Sequence, residues 1–136
     1  VFDPFRFTPA ARDPQLLSYL EESGSMFYDI DLAAILTPKD GPPCVITRTN
    51  FKEIYYTSAQ QLAHHTTSGC PMNSGDLLGS GTISGSQKLE RGSMLELSWG
   101  GREPLTLENG EVRSFLEDFD TLTLCALARN EHITIG

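Results

Sequence analysis

Two polar side chains stand alone in otherwise apolar or small-residue stretches of this 136-residue chain. One is the hydroxyl of Thr82, within Ser80-Gly81-Thr82-Ile83-Ser84-Gly85; the other is the carboxylate of Glu96, within Gly92-Ser93-Met94-Leu95-Glu96-Leu97-Ser98-Trp99. Both stretches read with a period of two, as strands over residues 76–84 and 93–99. If residues 85–92 are the loop of a hairpin, pairing of Gly85 with Ser93 sets Thr82 almost opposite Glu96. Opposed residues on one face have Cβ atoms roughly 5 Å apart. Leu95 and Leu97, with Met94 and Trp99 close by, should desolvate the carboxylate, and an unpaired charge there is costly, so the pattern predicts a partner for Glu96. A carboxylate hydrogen-bonded for fold specificity and a functional carboxylate both satisfy this spacing.

Other constellations carry less chemistry. His64 and His65 are adjacent, and neighbours on a helix point about 100° apart, so they cannot share one metal ion as residues spaced i, i+4 do. One is expected to pack and the other to be solvated. Asp29 and Asp31 share a strand face, as the start of a Mg²⁺ or Ca²⁺ site would, but no third acidic group stands at useful spacing, which favours an exposed face. The glycines around Gly79 lack the Gly-Lys-Ser/Thr of a phosphate loop and have Ser84 where a dinucleotide fingerprint needs glycine. They are expected to let another group approach the strand closely.

The elements that must position these residues read as follows. Residues 1–14 carry three of the eight prolines among aromatics and predict an extended strap. Residues 26–36 and 44–48 predict a hairpin closed by the turn-rich residues 37–43. A helix is predicted over residues 51–67, capped by Asn50 with Glu53 reaching back, stopped by Gly69, and burying a stripe of Phe51, Ile54, Tyr55, Ser58, Leu62 and His65. Further strands are predicted over 105–107, 112–116, 121–127 and 132–135, with Gly and Asn turns between them.

Ten Lys and Arg against eighteen Asp and Glu leave a net charge of −8, which repels polyanions and argues against a nucleic-acid partner. The apolar runs are far shorter than a membrane span, and the start resembles no signal peptide, so no membrane partner is expected. Cys44, Cys70 and Cys125 are odd in number and widely spaced, which fits a reducing, cytoplasmic setting better than a disulfide framework. The length is that of one domain, yet the absence of Met at position 1 and the strand-like run before Gly136 suggest a chain cut from something longer.

Taken together, Asn50-Phe51, Gln60-Gln61-Leu62, His64-His65, Gly69-Cys70, Gly75-Asp76-Leu77-Leu78, Ser80-Gly81-Thr82-Ile83-Ser84-Gly85 and Gly92-Ser93-Met94-Leu95-Glu96-Leu97-Ser98-Trp99 resemble the C-terminal part of the fumarylacetoacetase family's catalytic domain. Weaker likeness at Phe27-Tyr28-Asp29-Ile30-Asp31-Leu32 and Arg113-Ser114-Phe115-Leu116 extends it over nearly the whole of residues 1–136. The resemblance implies an α+β fold, a mixed β-roll with one main packed helix. It also implies hydrolysis of the carbon–carbon bond of fumarylacetoacetate to fumarate and acetoacetate, the closing step of tyrosine and phenylalanine breakdown. A homodimer and a divalent cation, Mg²⁺ or Ca²⁺, come with it. By motif, Thr82 would hold a substrate carboxylate, and Glu96 would orient the histidine that activates water.

The resemblance places the base histidine, the metal ligands and the substrate-polarising lysine and arginine upstream of the matched segment. Neither His64 nor His65 matches the base, and Asp29 and Asp31 do not match the metal ligands. After Asp120 the family usually reads Glu-Val and then Gly-His-Cys, whereas this chain reads Thr121-Leu122-Thr123-Leu124-Cys125-Ala126, so the last strands are expected to pack differently. Two alternatives stand beside the hydrolase: a non-catalytic structural or dimerisation piece, and a related acylpyruvate hydrolase or decarboxylase. The latter favour Gly-Thr-Pro where this chain has Gly81-Thr82-Ile83.

Overall fold

The apolar run Asp31–Thr37 (β3) is the centre of the largest sheet, and the Pro- and Gly-rich turn after it returns the chain as Cys44–Asn50 (β4), antiparallel to β3. The computed structural model describes every residue except 10, 12 and 25. On its other side β3 pairs antiparallel with Thr121–Arg129 (β7), from Asp31 opposite Leu127 to Thr37 opposite Thr121, and β7 pairs in turn with Thr134–Ile135 (β8). Two smaller sheets are hairpin-like pairs: Arg6–Phe7 (β1) with Phe27–Tyr28 (β2), and Leu105–Thr106 (β5) with Val112–Arg113 (β6). Several sheets and one main helix make this an α+β arrangement, and every strand pair among the described residues is antiparallel. No helix among the described residues is long and apolar enough to cross a membrane.

The register of β3 on β4 shifts between Ala34, opposite Thr47, and Ile35, opposite Val45, leaving Ile46 as an extra residue. A bulge of this kind breaks strict alternation. Its consequence is that the neighbours Ile46 and Thr47 are both buried. Ile46 joins Leu36, Leu97 and Leu107 in one core, with Met94 packed against it, while the Thr47 hydroxyl donates to the Leu89 carbonyl at 2.9 Å. One bulge thus anchors both the residues that carry Glu96 and the loop before them.

The helix differs from the sequence expectation in start and in face. Asn50 does cap a turn, accepting from the Lys52 amide at 2.9 Å, but that turn is a single 3₁₀ turn, Phe51–Glu53, after which Ile54 is extended. The α-helix is Ser58–Thr67 (α1), opened by a capping box in which Thr57 and Gln60 satisfy each other's backbone amides at 3.2 and 3.0 Å. Gln60 also donates to the Leu20 carbonyl at 2.8 Å, and Thr57 to Glu22 at 2.9 Å. The helix is therefore held by buried polar groups at its first turn, and Leu62 and His65, expected inside, are exposed. Gly69, at φ +83°, ends it as expected.

The N-terminal strap, expected to be extended, opens with a 3₁₀ turn, Asp3–Phe5, in which Phe5 is buried; the next residues form β1, whose Phe7 ring meets that of the buried β2 residue Phe27 edge-on at 5.7 Å. Near the other end, buried Arg113 grips Asp120 through two nitrogens at 3.0 and 3.2 Å, which holds the Asp120 carboxyl below the usual carboxylate range. That clamp closes the loop that leads into β7. The residues after Asp120, where the sequence leaves the resemblance, form β7, whose Leu122 and Leu124 remain exposed.

Candidate active site

Residues 93–99 do not form a strand. Ser93 instead caps the short helix Met94–Leu97 (α2), its hydroxyl accepting from the Glu96 amide at 3.3 Å. The physical reason lies in the core: Leu97 is fully buried and Met94 packs beside it, a three-residue step that matches one helical turn and not a pleat. Leu95 and Trp99 then face outward, and Glu96 stays half-buried. Arg91 stabilises the end of this turn by donating from Nη1 to the Glu96 carbonyl at 2.9 Å, with its guanidinium 5.7 Å from the Trp99 ring centre.

Residues 76–84 are likewise not a strand, so Thr82 is not brought opposite Glu96 by a ladder. The two segments still meet. Ser84 Oγ donates to Glu96 Oε2 at 2.7 Å and accepts the Gly92 amide at 2.9 Å, so Thr82 stands two residues from a direct contact of Glu96. The predicted partner of the carboxylate is thus a pair of hydroxyls, because Ser93 Oγ also donates to Oε2, at 3.2 Å. Glu96 Oε1 has no hydrogen-bond partner among the described residues, and no side chain among them bonds the exposed Thr82 hydroxyl.

Close approach of backbone to glycine occurs, but at Gly92 and not around Gly79. A Cβ on Gly92 would stand 2.6 Å from the Ile83 carbonyl oxygen and 2.8 Å from its nitrogen, whereas Gly79 and Gly81 have open space beside them. Residues 85–92 close on themselves through a 3₁₀ turn, Lys88–Glu90, and a bond from the Gly85 amide to the Glu90 carbonyl at 3.0 Å. Upstream, Leu78, Gly79 and Ser80 border a cleft of about 460 Å³ against α1, lined there by Ser58, Leu62 and His65.

The remaining candidates are engaged elsewhere. Asn50 bridges Asp29 and Asp31 with one amide group at 2.8 and 3.1 Å, Lys52 pairs with Asp29 at 2.9 Å, and Arg129 with Asp31 at 3.4 Å. The Lys52 ammonium holds the Asp29 carboxyl below its ordinary range. His64 stacks on Tyr19, whose hydroxyl lies 2.7 Å from Nδ1, but His64 and His65 are both exposed, so neither is the packed one of the pair. Among the described residues no three His, Cys, Asp or Glu side chains converge as a metal site would require, and all three cysteines are free thiols.

This geometry can hold an ionised carboxylate rigidly by one oxygen with the other open, beside a free hydroxyl on an adjoining loop. Among the described residues no histidine is hydrogen-bonded to the Glu96 carboxylate, whose partners are Ser84 and Ser93. Comparison with known proteins agrees with the motifs that form it. The family described as "Fumarylacetoacetate (FAA) hydrolase C-terminal" matches residues 26–127, which includes both Thr82 and Glu96. The chain is similar to fumarylacetoacetase of Dictyostelium discoideum, 46% identical over 136 residues, and to that of Arabidopsis thaliana, 44% identical over 135. It is 40% identical over 134 residues to the human fumarylacetoacetase. In each case 98% of this chain is covered and 32% of the relative, so the chain spans about a third of the length of the curated relatives it matches. With three quarters of its residues matched, the chain belongs to the fumarylacetoacetate hydrolase family, in its C-terminal region.

Proposed function

We propose that residues 1–136 are the carboxylate-bearing part of a fumarylacetoacetase, and that the full-length polypeptide hydrolyses fumarylacetoacetate to fumarate and acetoacetate in tyrosine and phenylalanine degradation. The observation that carries this reading is the Glu96 carboxylate, held through Oε2 with Oε1 open, in a chain 46% identical to a fumarylacetoacetase. Glu96 Oε1 accepts the Nδ1–H of a histidine from outside residues 1–136, which fixes the tautomer so that Nε2 takes a proton from water. The hydroxide adds to the ketone carbon beside the double bond. The carbon–carbon bond then breaks, its electron pair leaves with acetoacetate as the enolate, and a proton completes that product. Thr82 donates its free hydroxyl to a substrate carboxylate.

The divalent cation that the reading includes, Mg²⁺ or Ca²⁺, does not fit the side chains of this chain. Asp29 and Asp31 are tied to Asn50, Lys52 and Arg129, and among the described residues no three His, Cys, Asp or Glu side chains converge near Glu96. Its ligands, like the base, are assigned to the rest of the polypeptide. In the full protein these sheets belong to a mixed β-roll, the enzyme is a homodimer, and its setting is the cytosol, a reading supported by three widely spaced cysteines that form no disulfide.

Full-length polypeptide supplied with Mg²⁺ is expected to turn over fumarylacetoacetate, followed as loss of the diketone absorbance, while residues 1–136 alone do not. Turnover of an acylpyruvate in preference to fumarylacetoacetate would overturn the substrate assignment. Thr82→Val in the full-length polypeptide should raise KM about tenfold with kcat largely kept, since one hydroxyl-to-carboxylate bond is lost. An unchanged KM would remove Thr82 from the carboxylate site.

A further inference from the structure

We propose that Ser84 and Ser93 are positioning residues for the water-activating base: their hydroxyls together occupy Glu96 Oε2 and so reserve Oε1 for the histidine. The inference rests on the reading of Glu96 given above and extends it to two side chains. Each serine has one proton to give. Ser84 accepts the Gly92 amide at 2.9 Å and gives its proton to Oε2 at 2.7 Å; Ser93 accepts the Glu96 amide at 3.3 Å and gives its proton to the same oxygen at 3.2 Å. With a backbone N–H on the acceptor side of each hydroxyl, the direction of both protons is fixed.

A carboxylate serving only the helix start would behave differently. Ser93-x-x-Glu96 has the spacing of a capping box, in which the glutamate reaches back to the backbone amide of the serine, as Gln60 does to Thr57 at 3.0 Å. Glu96 makes no such bond. Its carboxylate is turned instead toward Ser84, twelve residues away in sequence, on the loop that carries Thr82. The seat beneath it is stiff, because Gly92 lies against the Ile83 backbone, Thr47 holds Leu89, and Leu97 is buried in the core. Two donors on one oxygen also spread the carboxylate charge, which moderates its pull on the imidazolium.

The test uses the full-length enzyme with its metal and compares Ser84→Ala, Ser84→Thr, Glu96→Gln and the Ser84→Ala/Glu96→Gln pair. Ser84→Ala is expected to lower kcat about tenfold with KM within about twofold. Removing a donor leaves the carboxylate more basic and raises the histidine pKa, and the base acts only when deprotonated. The acid limb of kcat/KM should therefore move to higher pH, by roughly half a unit. Ser84→Thr, which keeps the hydroxyl, should restore both, and in the Glu96→Gln background Ser84→Ala should cost nothing further. A Ser84→Ala variant that loses thermal stability while keeping wild-type kcat and acid limb overturns the proposal, as does a full additional loss in the double variant. Wild-type rates in Glu96→Gln refute the role of Glu96 itself; a slow Glu96→Gln beside a normal Ser84→Ala overturns the serine assignment alone. Should Ser84→Ala fail to fold, Ser93→Ala is expected to show the same limb shift to a smaller degree, its bond being the longer one, and an unmoved limb there has the same overturning force.

Discussion

Replacing Glu96 with glutamine in the full-length polypeptide is expected to lower kcat for fumarylacetoacetate by at least about a hundredfold while leaving KM and folding nearly intact. Glutamine keeps the shape, and its amide oxygen can still accept the Ser84 and Ser93 protons that now meet at Oε2. Its nitrogen then lies where Oε1 stood. A donor there faces the N–H of the histidine it should accept, so the imidazole loses both its tautomer and the negative charge that supports its protonated form. Binding is spared because no substrate group is assigned to Glu96. Steady-state kinetics and circular dichroism on the same preparation separate this outcome from misfolding; a kcat within a fewfold of wild type would remove Glu96 from the chemistry.

Gly92→Ala is the second large effect, and it acts through the backbone. The added Cβ would meet the Ile83 carbonyl oxygen at 2.6 Å and its nitrogen at 2.8 Å, and neither is the movable end of a side chain. The loop must part from residues 83–84. That displaces the Ser84 hydroxyl from the Gly92 amide and from Glu96 together. Overpacking of this kind costs about 2 kcal/mol, and misplacing a positioned group by an ångström costs roughly ten- to a hundredfold in rate. Thermal unfolding should therefore show a lowered midpoint together with a reduced kcat. A variant with wild-type stability and rate would show that Ile83 and Gly92 do not hold the site.

Much of this was legible in the sequence, and the errors have physical causes. The β3–β4 hairpin was plain from two β-rich runs around a Pro- and Gly-rich turn, and the C-terminal strands from their alternation. The stretch around Glu96 forms a helical turn where a strand is expected, because the alternation Leu95-Glu96-Leu97 suits a strand while the three-residue step from Met94 to Leu97 suits one helical turn, and so short a stretch cannot separate the two periods. The capping spacing Ser93-x-x-Glu96 was the signal that favours the turn, just as Thr57-x-x-Gln60 marks the true start of α1 against the competing Asn50. Bulging at Ile46 leaves no mark in the sequence, since it follows from the register of a distant strand pair. Ser84 was visible only as a member of a motif; its contact with Glu96 depends on a loop that no periodicity describes.

The single-turnover rate of diketone loss, measured with full-length enzyme in excess over fumarylacetoacetate, tests the central claim most directly because it isolates bond cleavage from product release. For Glu96→Gln that rate should fall at least about a hundredfold below wild type at a pH where the histidine is deprotonated. An unchanged single-turnover rate would contradict the assignment of Glu96 as the carboxylate behind the base.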